Sequence, residues 1–132
     1  LPIFCVNAHQ GSTGPLTSGV ATFDYTTLNG GLVYMTAPEA GTFTMSYTNF
    51  PTINTNCIYT MTNRYTTNNQ SYYANNVLIN GTTASLSYIG GSSTIASSLS
   101  GITLSSIYQT FHIIFNGSTL PSATTSVVGI GL

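Results

Sequence analysis

Few side chains in this chain could carry out acid–base, nucleophilic or metal chemistry. They are Asp24, Glu39, His9, His112, Arg64, Cys5 and Cys57. General acid–base catalysis needs two carboxylates, or a histidine and a carboxylate, within reach of one substrate. Asp24 stands between Phe23 and Tyr25 in a strand-like run, and Glu39 lies in a turn between Pro38 and Gly41. Serine is abundant, but no G-x-S-x-G nucleophile elbow is present. The two Cys and two His show neither C-x-x-C nor H-x-x-x-H spacing, so no metal site is expected. The glycines match no phosphate-binding fingerprint, and no cofactor is expected. His112, between Phe111 and Ile113, reads as a hydrogen-bonded sheet residue. Arg64 reads as a loop cation, open to pairing with Asp24 or Glu39 or to stacking on a tyrosine. The expectation is a protein that is not an enzyme.

Two kinds of modification chemistry stay open. Cys5 and Cys57 are the one candidate disulfide pair. Closing that loop of ~50 residues would stabilise by about 4 kcal/mol in the chain-entropy model. The other reading is a pair of free thiols packed as small hydrophobes. Three sequons, at Asn69, Asn80 and Asn116, are candidate N-glycosylation acceptors, each in an expected loop.

Charge makes up 2% of the 132 residues, against roughly 25% in an ordinary soluble domain. The formal net charge is −1, where small soluble domains usually carry about 2 to 8 in magnitude. Solubility must then rest on Ser, Thr, Asn and Tyr, on attached sugar, or on a surface covered by neighbours. With one Lys or Arg in the chain, no phosphate-binding patch can form, so nucleic acid is not an expected partner. The 42% hydrophobic content and mean hydropathy of +0.23 argue against disorder. No apolar run is long enough to span a bilayer as a helix. A start at Leu1 rather than Met reads as a processed product or a segment of a longer chain.

The elements that must position these residues follow a period of two. In 41–48, Phe43, Met45 and Tyr47 fall on one face and Thr42, Thr44, Ser46 and Thr48 on the other. Ala84, Leu86 and Tyr88 alternate with Ser85 and Ser87. Ile107, Phe111, Ile113 and Phe115 face away from Tyr108, Thr110 and His112. Further strand-like runs cover 20–25, 32–36, 57–62, 77–79 and 125–132, rich in Thr, Tyr, Val and Ile. Asn29-Gly30, Asn80-Gly81, Gly90-Gly91 and Asn116-Gly117 punctuate them. Asn80-Gly81 is the strongest hairpin signal, since both central residues of a type I′ turn take positive φ. No segment reads as a helix. The fold expected is all-β: an antiparallel sandwich or jelly-roll-like domain of about eight strands with no significant helix.

Residues 1–19 separate from the rest as an apolar N-terminal strand plus a Gly/Ser/Thr-rich linker, leaving 20–132 as the sandwich domain. Ile3, Phe4 and Val6 could pair within their own sheet or be donated to a neighbour's open edge. The stretch 65–76 reads as a long polar–aromatic surface loop. Its Tyr65, Tyr72 and Tyr73 are candidate contact residues, offering large area with a polar tip.

The order of motifs resembles a known family. Asp24-Tyr25, Tyr34, the run from Phe43 to Thr52, Val77-Leu78-Ile79-Asn80-Gly81, Tyr88-Ile89-Gly90-Gly91, Phe111 to Phe115 and Val128-Gly129 follow one another over about residues 20–130. This resembles a β-rich domain common in tail-fibre and other virion surface proteins of marine phages and large DNA viruses. The resemblance implies a non-enzymatic, often trimeric module that attaches virions to hosts or decorates capsids. The expected setting is the virion surface or the extracellular space. The expected partners are the chain itself, as homo-oligomer or polymer, and a host-surface glycan or protein. Two other readings stay open: a subunit of an extracellular filament assembled by a donated N-terminal strand, and a carbohydrate-binding module.

Overall fold

The computed structural model describes residues 9–10, 19–27, 32–35, 41–51, 57–67, 71–115 and 121–131. Ten strands, one short α-helix and a 3-10 turn at Tyr25–Thr27 run through them: β1 His9–Gln10, β2 Val20–Asp24, β3 Leu32–Met35, β4 Gly41–Thr48, β5 Cys57–Thr66, β6 Tyr72–Ile79, β7 Thr82–Thr83, β8 Ser85–Tyr88, α1 Ser92–Leu99, β9 Leu104–Phe115 and β10 Ser122–Gly131. They form an all-β sandwich. Sheet A has the order β1-β3-β5-β9-β10-β8, and sheet B the order β2-β4-β6-β7.

The expected antiparallel arrangement needs correction, because five of the eight strand pairings are parallel. From β1 to β6 the chain alternates between the sheets. Odd strands stack in parallel in sheet A and even strands in parallel in sheet B. Each strand of one sheet thus serves as the crossover connection that a parallel pair in the other requires. The long strands β5, β9 and β10 then close sheet A as an antiparallel ladder. Alternation in a sequence assigns faces but not partners, which is why the parallel order is invisible to it. The stretch expected as a linker contributes β1, whose His9 and Gln10 pair with Val33 and Tyr34.

Between the sheets lies one apolar core. Ala21, Phe23, Phe43, Met45, Tyr47, Val77 and Ile79 come from sheet B, and Val33, Met35, Met61, Ile107, Phe111, Ile113 and Val127 from sheet A. In β6 the inward set changes phase. Tyr72 and Ala74 point in, as do Val77 and Ile79, because a register shift opposite Phe43 and Thr44 leaves Asn75 as an extra residue. Such a bulge re-aims the following side chains without breaking the strand. The loop expected over 65–76 is corrected accordingly: Tyr65, next to last in β5, lies inside the core, and Tyr72 opens β6 with its side chain buried.

A polar layer crosses this core. Asn63, Gln109 and Thr125 are fully buried. The Tyr47 hydroxyl donates to Asn63 Oδ1 at 3.0 Å, and Asn63 Nδ2 donates to the Gln109 carbonyl at 3.2 Å. Gln109 Oε1 accepts from the Tyr65 hydroxyl at 2.9 Å and from the Ala74 N–H at 2.7 Å. Its Nε2 donates to the Ala74 carbonyl at 2.7 Å and to Thr125 Oγ1 at 3.2 Å. All four hydrogen-bonding positions of the Gln109 amide are therefore used. Burial without partners would cost about 1–3 kcal/mol per group, so full satisfaction is what makes this layer tolerable.

The Asn80-Gly81 turn forms as expected. Asn80 and Gly81 both take positive φ (49° and 82°), and Leu78 and Ile79 pair with Thr83 and Thr82. Beyond it the expected second arm splits at Ala84, and β8 joins sheet A beside β10. Asn80 has a second role: its Oδ1 accepts the Phe50 N–H and its Nδ2 donates to the Phe50 carbonyl, both at 2.7 Å. Phe50, so held, centres an aromatic cluster with Tyr25 at 4.4 Å, Tyr59 at 4.8 Å and Phe115 at 5.9 Å between ring centroids.

One short helix, α1, joins β8 to β9 and leaves the all-β class expected from the sequence intact. Gly90 and Gly91 at φ 78° and 88° turn the chain out of β8, and Gly101 at φ 78° follows the helix end. Such values suit glycine, which has no Cβ to clash. Ile95 and Leu99, four apart, form the buried face, and the helix packs on β10.

Candidate functional site

Among the described residues, Asp24, His112 and Arg64 lie apart, each with a local partner. Asp24 ends β2, where its Oδ1 accepts from the Thr26 hydroxyl at 2.7 Å and the Thr26 N–H at 3.0 Å. The Thr26 hydroxyl, then its backbone N–H, hold the Asp24 carboxyl below its ordinary value. His112 is on β9 in the other sheet, its Nδ1 3.3 Å from the Thr60 hydroxyl across the β5–β9 ladder. Arg64 belongs to β5 rather than to a loop, and its guanidinium lies 5.8 Å from the ring centre of its register partner Tyr108. No three His, Cys, Asp or Glu gather among the described residues. Glu39, Cys5, Asn69, Asn116, Ile3, Phe4 and Val6 lie outside the described residues, as does the Cys57 side chain. Asn80 is exposed, and the amide nitrogen a glycan would occupy already donates to Phe50.

Two features can make contacts. The first is the outward face of the β5–β9–β10 ladder. Register sets Thr60, His112 and Thr124 in one row, Thr62, Thr110 and Ser126 in the next, and Arg64, Tyr108 and Val128 in a third. Apolar side chains mark its two ends: Ile58 is 66% exposed, Val128 51% and Ile130 42%. Arg64 is the single charge among these rows. The edge strands of the two sheets are similarly bare. Neither β7 nor β8 carries a charged residue or a proline, and β2 carries only Asp24 at its end. Monomeric sheet proteins commonly block such edges with Lys, Pro or bulges.

The second feature is a pocket of about 320 Å³ between α1 and the start of β6, lined by Ser71, Tyr73, Ser92, Ile95, Leu99 and Ser100. Ile95 and Leu99 are buried and Tyr73 is half-buried, while Ser71, Ser92 and Ser100 are exposed. Of the three tyrosines expected to make contacts, Tyr73 alone reaches this pocket; Tyr65 and Tyr72 belong to the core. Tyr88 is close by, and burial, then the neighbouring Tyr73 phenol, push the Tyr88 phenol above its ordinary value. The pocket's other residues escape a sequence reading. Their one signal is the Ile95–Leu99 spacing after Gly90-Gly91, in a segment otherwise rich in Ser and Thr, which are indifferent helix formers.

Comparison with protein-family models, curated proteins and solved structures returns no match for this chain.

Proposed function

We propose that this chain is a non-enzymatic structural surface module that works by self-association and contact, at a virion surface or in another extracellular assembly. The observation that carries this reading is the outward face of the β5–β9–β10 ladder: broad, hydroxyl-rich, capped by Ile58, Val128 and Ile130, and bearing one charge. Covering it with an identical neighbour desolvates hydroxyls and β-branched side chains, which costs far less than desolvating charges. The virion setting comes from the resemblance in motif order. The separation of Asp24 and His112 into different sheets supports the non-enzymatic part.

Native mass by light scattering tests it. A discrete multiple of 13.9 kDa, three for a fibre-like trimer, is the expected result. Thr110→Lys, at the centre of the face, should dissolve the assembly, and Thr42→Lys on sheet B should leave it intact. A clean monomer for the unaltered chain would overturn the reading. Open-ended growth would instead favour the filament with a donated strand.

A further inference from the structure

We infer that the pocket between α1 and β6 is a binding site for one neutral pyranose ring, with Tyr73 as its stacking platform. The volume, about 320 Å³, is at the small end of ligand sites and suits a single sugar ring rather than a larger molecule. The chemistry of the lining sets the class. None of the six lining residues carries an ionised group, so an anion or cation would lose hydration with nothing to replace it. A purely apolar guest would leave the hydroxyls of Ser71, Ser92 and Ser100 at its rim unused. A pyranose matches both demands: its C–H face can lie on an aromatic ring and the Ile95 and Leu99 side chains, and its hydroxyls can meet the serine rim. Gly129 supports this geometry from below. A Cβ there would stand 3.0 Å from Leu99 Cδ2 and 2.6 Å from Leu104 Cδ2, so its absence lets Leu99 settle as the pocket floor.

So few contacts give an affinity on the order of millimolar. The test is a titration followed by two-dimensional NMR with methyl glucoside, galactoside and mannoside, and with glucuronate as the charged counterpart. At least one neutral pyranoside should give saturable shifts at Tyr73, Ser92 and Ser100, and glucuronate should bind at least tenfold more weakly. Tyr73→Phe should keep affinity within about threefold, since the ring remains, whereas Tyr73→Ala should lose at least tenfold. Because Tyr73 also packs against the core, Ser92→Phe, which fills the pocket from an exposed position, gives an independent check and should also abolish binding. A disaccharide binding at least as tightly as the monosaccharide marks the end of a glycan as the ligand, and loss on extension marks a free sugar. No saturable shift with any pyranoside, binding that survives both Tyr73→Ala and Ser92→Phe, or equal binding of glucuronate would each overturn the assignment. Repeating the titration with Thr110→Lys separates this site from self-association, since the pocket shares no residue with the ladder face.

Discussion

The side-chain amide of Gln109 pairs with the backbone of Ala74 as a neighbouring strand would, accepting its N–H and donating to its carbonyl at 2.7 Å each. Gln109 belongs to sheet A and Ala74 to sheet B, so this pair is a hydrogen-bonded tie across the core. Gln109→Leu keeps the bulk but leaves the Ala74 groups and the Tyr65 hydroxyl buried without partners. Such losses cost about 1–3 kcal/mol each before relaxation, so a net destabilisation of about 2–4 kcal/mol is expected. Urea unfolding measures it directly. A change within 0.5 kcal/mol, the usual range for an exposed site, would mean the tie contributes nothing.

Asn80 combines a backbone demand with a side-chain tie to Phe50, and two variants separate them. Asn80→Gly keeps the positive φ and loses both bonds to Phe50, for an expected cost of about 1–2 kcal/mol. Asn80→Ala should cost about 1 kcal/mol more, because a Cβ strains the left-handed conformation. Near-ultraviolet circular dichroism should weaken in both variants as the rings around Phe50 loosen. Equal stability of the two variants would remove the backbone part of the account.

Stability should fall in alkali. Burial pushes the Tyr47 phenol far above its ordinary value, and burial followed by the Tyr47 charge does the same for Tyr65. A group whose folded value is raised contributes stability that is complete below its unfolded value and is lost as pH climbs toward the folded one. The unfolded value is 10.0, so the urea midpoint should begin to drop near pH 10, in step with tyrosinate absorbance. In acid, Asp24 acts with the opposite sign. Its lowered value adds stability above the ordinary carboxylate range that disappears as pH falls through the folded value. Asp24→Asn should flatten that acid limb and leave the alkaline one untouched.

Gly129→Ala tests the seat of α1. The new Cβ meets the ends of Leu104, Leu99 and Ile102, which are flexible, so the expected cost is about 1 kcal/mol rather than loss of folding. Hydrogen exchange should quicken in α1 and stay unchanged in β5. Uniform loss of protection would show that α1 is not a separate unit on the sandwich.

What could be read beforehand depends on how local the cause is. Alternation makes β4 legible end to end, and two positive-φ residues in succession make the Asn80-Gly81 turn legible. The first half of β6 escapes because the extra residue at Asn75 interrupts the alternation, so 72–76 resembles a loop. Asn63 and Gln109 are polar residues at inward positions, and only their partners on distant strands make burial affordable. The same holds for the pocket, where Ser71 and Ser100 meet through tertiary packing alone. Residue type puts Tyr65, Tyr72 and Tyr73 in one class; packing alone separates them, burying Tyr65 and Tyr72 and leaving Tyr73 half-buried at the pocket.

The winding of β1 to β6 also governs how this chain reaches its structure. Leu32 pairs with Thr62, and Gly41 with Tyr72, so a parallel rung forms only after some thirty residues have closed into a loop. The antiparallel partner of β5 is β9, further along still. Among the pairings of long strands, β9 with β10 is the most local, with Ile114 opposite Ser122. Most of the sheet pairing is therefore non-local, and high contact order of this kind predicts slow folding.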